Sequence, residues 1–350
     1  MAKQATITEI AKRAGVSIGT VDRVLHNRGG VSQKSREKIQ AILSEVGYRI
    51  NMHTSAVALR KEFNIVLSVP QAEPGEYWHS LMDGVRQATD EYSDIHIICT
   101  TLPYDQFDPG SCREAFSKVM EAKPDAVILG PTFDVETHKL CASLDAAHIP
   151  YVFVDTTFAD LNPLAAFTAD QPAGGSLVGR ILLSTVPADK KIALMLSRHG
   201  AGEKAHNAEQ RREGLVKYFS ELGQSGRLLE AGFNLHDASL RHPQMREFFR
   251  ANPDIGGVCV LNSRGYAVAD FLQKEGLRGI RVVAFDLTER NMECLKNGSI
   301  AALVCQRPER QGFQAVITLL EYLLYRRARH TEQQLMPLDI VLKENLPYYQ

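Results

Sequence analysis

The sequence predicts an all-α headpiece of three short helices, followed by an α/β body of two doubly wound parallel-sheet lobes. Three observations carry this. Between Thr6 and Gly47 apolar residues recur at helical spacing in three short runs, each opened by a hydroxyl residue. From Asn64 the pattern changes to short apolar strands alternating with amphipathic helices, the mark of parallel strands buried on both faces. The alternation runs to Asp155 and then restarts at Gly174, so one chain carries two such lobes. Its 350 residues, 44% of them hydrophobic, suffice for two or three domains with a sizeable core.

In the headpiece, Thr6 and Glu9 form a capping box that opens a first helix with Ile7, Ile10, Ala11 and Ala14 on one face, and Gly15 stops it. Ser17 caps a second helix whose apolar positions Val21, Val24 and Leu25 leave Thr20 and Arg23 facing outward. The turn between them is only about Gly15 to Ser17, which makes the pair a helix-turn-helix, the unit that lays its second helix in the DNA major groove. Ser32 caps a third helix, with Ile39, Ile42, Leu43 and Val46 closing a small core and Gly47 ending it.

Charge follows the same division. Of 40 Lys and Arg and 41 Asp and Glu, residues 1–63 hold 11 and 5, which leaves 29 and 36 for the rest. A head of charge +6 on a body of −7 is hidden by the net −1. Such a head neutralises phosphates with an affinity that falls with salt. A small helical bundle with a solvated basic face has the same spacing and charge.

In the body, strands are expected at 65–69, 95–99, 126–130, 151–155, 191–196, 257–261 and 281–286. Helices are expected at 77–91, 111–121, 136–147, 174–183, 207–222, 267–275 and 311–325. Ligands of open parallel sheets bind beyond the carboxyl ends of the strands. Those ends carry Asp155, Asn262 and Asp286, with Tyr77 and Trp78 after the first strand and Arg211 on a flanking helix. Charged groups that bond hydroxyls and a flat ring that packs on C–H bonds are what a polyhydroxylated ligand needs. Taken singly, a strand-end Asp also reads as a helix cap, and the only Trp as core.

The run Thr6-Ile7-Thr8-Glu9-Ile10-Ala11-Lys12-Arg13-Ala14-Gly15-Val16-Ser17-Ile18-Gly19-Thr20-Val21, with Arg23-Val24-Leu25-His26-Asn27, Val31-Ser32, Arg36 and Gly47-Tyr48, resembles the headpiece of the LacI/GalR family of bacterial repressors. The resemblance implies operator contacts from Thr6, Ser17, Ile18, Gly19, Thr20, Arg23, Asn27, Ser32 and Lys34. It also implies a hinge over 49–63 whose apolar wedge enters the minor groove, Val57 by count, with Leu59 two residues on. A linker that touches nothing is the other reading of that stretch. Asp22, Ile50 and Val57 depart from the Ser, Pro and Leu usual in the family.

Further on, Val69-Pro70, Asp155, Asp170 with Gly174-Gly175, Arg211 with Gly214, Asn262, Phe285-Asp286 and Gln306 resemble the periplasmic-binding-protein-type effector domain of that family. This implies that Tyr77, Trp78, Asp155, Asp170, Arg211, Asn262, Asp286 and Gln306 contact a sugar, sugar acid or sugar phosphate. The implied domains are 1–48, 49–63 and 64–350, the last split into one lobe of about 64–168 and 308–335 and another of about 169–305 and 338–350. The expected partners are double-stranded operator DNA, the effector, and a second copy in a homodimer or larger assembly.

A free solute-binding receptor would suit the two lobes, but it calls for an export signal and no basic headpiece. An enzyme using Asp155, Asp170 or Asp286 would be the third class, yet the chain has no P-loop, G-x-S-x-G, H-E-x-x-H or dinucleotide fingerprint. No cofactor or metal is expected. The start lacks the apolar core of a signal peptide and no run of about 18 apolar residues occurs, so a cytoplasmic protein away from the membrane is expected. Cys99, Cys112, Cys141, Cys259, Cys294 and Cys305 are scattered and read as reduced thiols.

Overall fold

A computed structural model of the chain describes residues 6–25, 29–45, 62–197, 206–234, 238–325 and 332–349. The expected contacts of Asn27, Val57 and Leu59 therefore lie outside the described residues, as does the hinge up to residue 61.

Helix α1 (Ile7–Ala14) starts on a reciprocal cap: Glu9 N–H donates to Thr6 Oγ1 at 3.3 Å, and Thr6 N–H to Glu9 Oε2 at 2.7 Å. Gly15, at φ 71°, ends it in the left-handed conformation that glycine adopts without penalty. Helix α2 (Ile18–Leu25) starts at Ser17, whose hydroxyl accepts from Thr20 N–H at 3.1 Å, and α3 (Gln33–Glu45) at Ser32, which accepts from Ser35 N–H at 3.2 Å. Ile10, Ala11, Ala14, Val21, Val24, Ile39 and Ile42 form their common core.

The body is wound on two six-stranded sheets among the described residues. Along the chain come β1 (Phe63–Ser68), α4 (Tyr77–Glu91), β2 (Ile97–Thr101), α5 (Pro109–Glu121), β3 (Ala126–Leu129), α6 (Asp134–Ala146), β4 (Tyr151–Asp155) and β5 (Ala165–Ala169). After them come α7 (Gln171–Thr185), β6 (Lys191–Ser197), α8 (His206–Glu221), β7 (Leu228–Phe233), α9 (Ala238–Ala251), β8 (Ile255–Val260), α10 (Gly265–Lys274), β9 (Arg281–Phe285), α11 (Glu289–Lys296) and β10 (Ala302–Cys305). Last are α12 (Pro308–Tyr325), β11 (Glu332–Met336) and β12 (Asp339–Val341). The first sheet has the order β11-β5-β4-β3-β1-β2, all parallel, and the second the order β12-β10-β9-β8-β6-β7, parallel except for β12. Each sheet is covered on both faces by apolar clusters, which is why strands such as Ala126–Leu129 are buried along their whole length.

The chain passes between the sheets three times, at Asp170, at Gln306–Arg307 and between Met336 and Asp339. Arg307 on the second passage pairs bidentately with Asp339 at the third, at 2.6 and 2.9 Å. Strands β5, β7, β10, β11 and β12 and helices α9 and α11 were not among the expected elements. Helix α9 carries Pro243 inside it, a residue that ordinarily argues against helix.

Each sheet is flanked by one tight helix pair. Helices α4 and α12 touch through Gly84 and Gly312, and α7 and α8 through Gly175 and Gly214, each glycine lying against the backbone of the partner helix. A Cβ on Gly175 would overlap the carbonyl of Arg211, and one on Gly214 that of Pro172. These contacts bring the N-terminal ends of α4 and α8, which carry Tyr77, Asn207 and Arg211, up to the gap between the lobes.

All six cysteines are free among the described residues, and burial raises the thiols of Cys99 and Cys141 to about 11 and about 12. Such thiols stay protonated and unreactive. No described helix is long and apolar enough to cross a membrane.

Gly175→Ala must push α7 and α8 apart, and it is expected to cost about 1–3 kcal/mol in chemical denaturation. Gly226→Ala, which meets nothing within 4 Å, is expected to stay within roughly 0.5 kcal/mol of wild type in the same measurement.

Candidate functional site

Between the carboxyl ends of the two sheets lies a cavity of about 450 Å³. Asp155 at the end of β4 and Asp286 just past β9 enter it from opposite lobes, on strands that hold the same place in their sheets. Both residues are left-handed, at φ 67° and 68°, a conformation that costs a non-glycine residue roughly 1–3 kcal/mol unless its surroundings impose it. The surroundings do. Asp155 N–H donates to Gln311 Oε1 at 2.8 Å, and the Asn291 amide donates to the carbonyls of Phe285 and Asp286 at 2.9 and 3.1 Å.

Each carboxylate is wrapped in donors. Asp155 accepts from the Tyr77 hydroxyl at 2.8 Å and from Asn207 Nδ2 at 2.7 Å, and Asp286 accepts from Gln306 Nε2 at 2.9 Å and the Ser263 hydroxyl at 3.1 Å. Burial nevertheless raises both carboxyl groups above the usual range, with nearby Arg211 opposing the shift and the hydrogen bonds opposing it further. The Tyr77 hydroxyl is raised well above its ordinary value, first by burial and then by the charge of Asp155.

Arg211 is 4% exposed and forms no salt bridge among the described residues. Its Nε donates to Gln171 Oε1 at 2.6 Å, its Nη1 to the Leu261 carbonyl at 2.8 Å, and its plane lies 4.0 Å from the centre of the Phe285 ring. Nη2 has no protein partner among the described residues, and the same holds for Nδ2 of Asn262, whose Oδ1 accepts from Arg264 N–H at 3.0 Å. These are donors held in place with hydrogens to spare, on a wall whose acceptors are carboxylates. Trp78 completes the lining: its ring sits where a Cβ on Gly130 would come within 2.6 Å, and it meets Tyr77 edge-on at 5.2 Å. The set suits a ligand rich in hydroxyls, which both donate and accept.

Tyr77, Trp78, Asp155, Arg211, Asn262, Asp286 and Gln306 thus stand around one cavity. Asp170 does not. It is exposed, and its Oδ1 accepts from Ala173 N–H at 2.9 Å, so it caps α7 instead of meeting a ligand. Sequence reasoning missed Asn207, Gln171, Gln311, Ser263 and Thr156. Asn207 had a legible signal, because it lies one helical turn before Arg211 and shares its face.

Asn207 also joins the lobes. Besides its bond to Asp155 it accepts from the Thr156 hydroxyl at 2.9 Å, and beside it His206 stacks on Phe158 with ring centres 5.8 Å apart. At the opposite lip Glu289 N–H donates to the Gly75 carbonyl at 2.9 Å.

In the headpiece, α2 presents Ile18, 53% exposed, with Gly19 and Arg23 also exposed and Thr20 half-buried. Lys34 is exposed at the start of α3, and Asp22 is half-buried. Thr6, Ser17 and Ser32 are engaged as helix caps.

Residues 65–326 match the periplasmic binding protein domain, and residues 6–51 match the bacterial regulatory proteins of the lacI family. The chain belongs to the LacI/GalR family of bacterial transcriptional regulators. It is 29% identical over 182 residues to the HTH-type transcriptional regulator DegA of Bacillus subtilis, covering 51% of this chain and 52% of that one. It is 24% identical over 285 residues to the ribose operon repressor of Halalkalibacterium halodurans, covering 79% and 80%. A crystal structure assigned to a LacI transcriptional regulator of Bacteroides fragilis is similar over 83% of this chain and 100% of that one, at 30% identity and a TM-score of 0.77. The match to DegA spans about half the length of that relative.

Because burial raises the Asp286 carboxyl in the folded state above its unfolded value, the folded protein holds that proton more tightly, and this group's contribution to stability is lost as pH rises through the raised value. In Asp286→Asn the amide can still accept from Gln306 and donate to Ser263, with no charge to desolvate. The melting temperature of Asp286→Asn relative to wild type is therefore expected to increase from about pH 4 to about pH 8. A difference that shrinks over that range in a thermal scan would show that Asp286 ionises without cost.

Proposed function

We propose that this regulator is a sugar-responsive repressor that binds a near-palindromic operator as a homodimer in the cytoplasm. One observation carries the reading: a cleft whose donors and acceptors are those of a polyhydroxyl site belongs to the same chain as a basic helix-turn-helix. The name of the H. halodurans relative, a repressor of a sugar operon, supports it. A single headpiece reads too few bases for useful discrimination against a genome, and a two-fold assembly on two half-sites multiplies it.

In this reading Ile18, Gly19 and Arg23 meet base edges, Lys34 meets phosphate, and Val57, or Leu59 in a shifted register, enters the minor groove. The cavity residues hold the effector across both lobes. Asp155, Tyr77 and Trp78 belong to one lobe and Arg211, Asn262 and Asp286 to the other, so a bound sugar favours one lobe orientation. It shifts operator affinity by its differential affinity for the two orientations, typically about 1–3 kcal/mol, and the coupling is reciprocal.

The test is fluorescence anisotropy on DNA from upstream of the gene, at fixed salt, with and without sugars. Arg23→Ala is expected to lose roughly 1–3 kcal/mol on the preferred site and relax one base position, whereas Lys34→Ala weakens all DNA alike and flattens the salt slope. Arg211→Ala is expected to bind operator as wild type does but to ignore the sugar. An Arg211→Ala protein that still responds fully to saturating sugar would place the effector elsewhere, and no specific retention of any upstream DNA at low salt would sink the regulator reading.

A further inference from the structure

A second chamber of about 330 Å³ adjoins the cavity, and the two share Tyr77, Trp78, Gln106, Phe107, Asn262 and Ser263 among their lining residues. The outer chamber lies between the segment from Gln71 to Glu76 of one lobe and Arg264, Tyr266 and Thr288 to Arg290 of the other. It is bounded, because the two rims meet where Glu289 N–H donates to the Gly75 carbonyl. Gly75 permits this by its left-handed φ of 83°, and a Cβ there would come within 2.9 Å of the Glu289 side chain.

The furnishing of this chamber repeats that of the inner one. Phe107, 40% exposed, offers an aromatic face at the junction. Arg264 Nη1 donates to the Tyr266 hydroxyl at 3.1 Å, and Arg264 has no acidic partner among the described residues. Its backbone N–H is fixed by Asn262 Oδ1, so the outer guanidinium and the inner amide Nδ2 are set by one short turn. Tyr266 is backed by Arg290, 3.8 Å from its ring centre.

Charge selects among ligands. The outer chamber sets Glu73, Glu76 and Glu289 against Arg264 and Arg290, and Arg290 is already paired with Asp270 at 2.8 Å. The inner chamber sets the buried Asp286 and the half-buried Asp155 against one guanidinium. An anion in either place would face an excess of carboxylate.

We infer that the effector is a neutral disaccharide, with one ring in the inner cavity and the second in the outer chamber between Phe107 and the Arg264–Tyr266 pair. The inference rests on the reading of the cleft as a sugar site. An aromatic face joined to a placed donor adds affinity for the second ring on the order of tenfold.

The experiment is isothermal titration of the full chain with glucose, galactose, mannose, xylose and arabinose, then with cellobiose, maltose, lactose, melibiose and xylobiose, and finally with glucose 6-phosphate and glucuronate. The tightest ligand is expected to be a disaccharide, on the order of tenfold tighter than its own component sugars. Arg264→Ala is expected to remove that advantage and leave the affinity for the component sugar within about twofold. A component sugar that binds as tightly as its disaccharides, a charged sugar that binds tightest, or an Arg264→Ala protein that loses both affinities equally would overturn the second subsite while leaving the sugar reading in place. If no sugar in the three sets binds, the sugar reading falls and this inference with it.

Discussion

Two carboxylates, one from each lobe, are drawn into a single cleft with one guanidinium near them, and much of the body is arranged to make that tolerable. An unpaired buried charge would cost several kcal/mol, so Asp155 and Asp286 each take two side-chain donors, and Arg211 is steered by Gln171 and Leu261 to a place where it acts on both. The left-handed backbone at both aspartates follows from this need. It turns each side chain off the end of its strand into the cleft, and Gln311 and Asn291 hold it there.

The same network makes the lobes one mechanical unit. Asn207 donates across the gap to Asp155, while Gln306 and Gln171, both next to the crossovers, bond each other at 3.2 Å. A ligand that fills the cavity must bargain with these bonds, because Asp155 already has a partner, Asn207, from the opposite lobe. In the proposed reading, lobe orientation and ligand occupancy are coupled through Asn207 and Asp155, which is the physical content that allostery requires of a two-lobed regulator. The glycine pairs 84 with 312 and 175 with 214 let each lobe's helices pack backbone to backbone, which fixes where Tyr77, Asn207 and Arg211 enter the cleft.

Two acidic residues show how far a local rule reaches. Asp155 and Asp170 both follow an apolar strand, and both satisfy the same description in one dimension. Asp155 is drawn into the cleft by Tyr77 and Asn207, whereas Asp170 precedes a helix and spends its carboxylate on Ala173 N–H. Trp78 is core and cavity wall at once, packed over Gly130 and lining the ligand space, so the two readings of the only tryptophan were not alternatives.

What the sequence determined by itself is whatever depends on near neighbours. The capping box and N-caps of the headpiece, the helix Tyr77–Glu91, the strand Tyr151–Asp155 and the doubly wound class all follow from periodicity and capping, which act within a few residues. The short strand Ala302–Cys305 and the Pro-containing helix Ala238–Ala251 were illegible because their stability comes from neighbours distant in the chain. Only the tertiary structure decided that Asn207 and Ser263 join Tyr77 and Gln306 on the two carboxylates, with Gln311 on the Asp155 backbone N–H and Gln171 on Arg211. Hydrogen bonds between residues separated by 52, 78 or 156 positions leave no periodic trace in a sequence, and they exist only once both sheets have brought their carboxyl ends to one cleft.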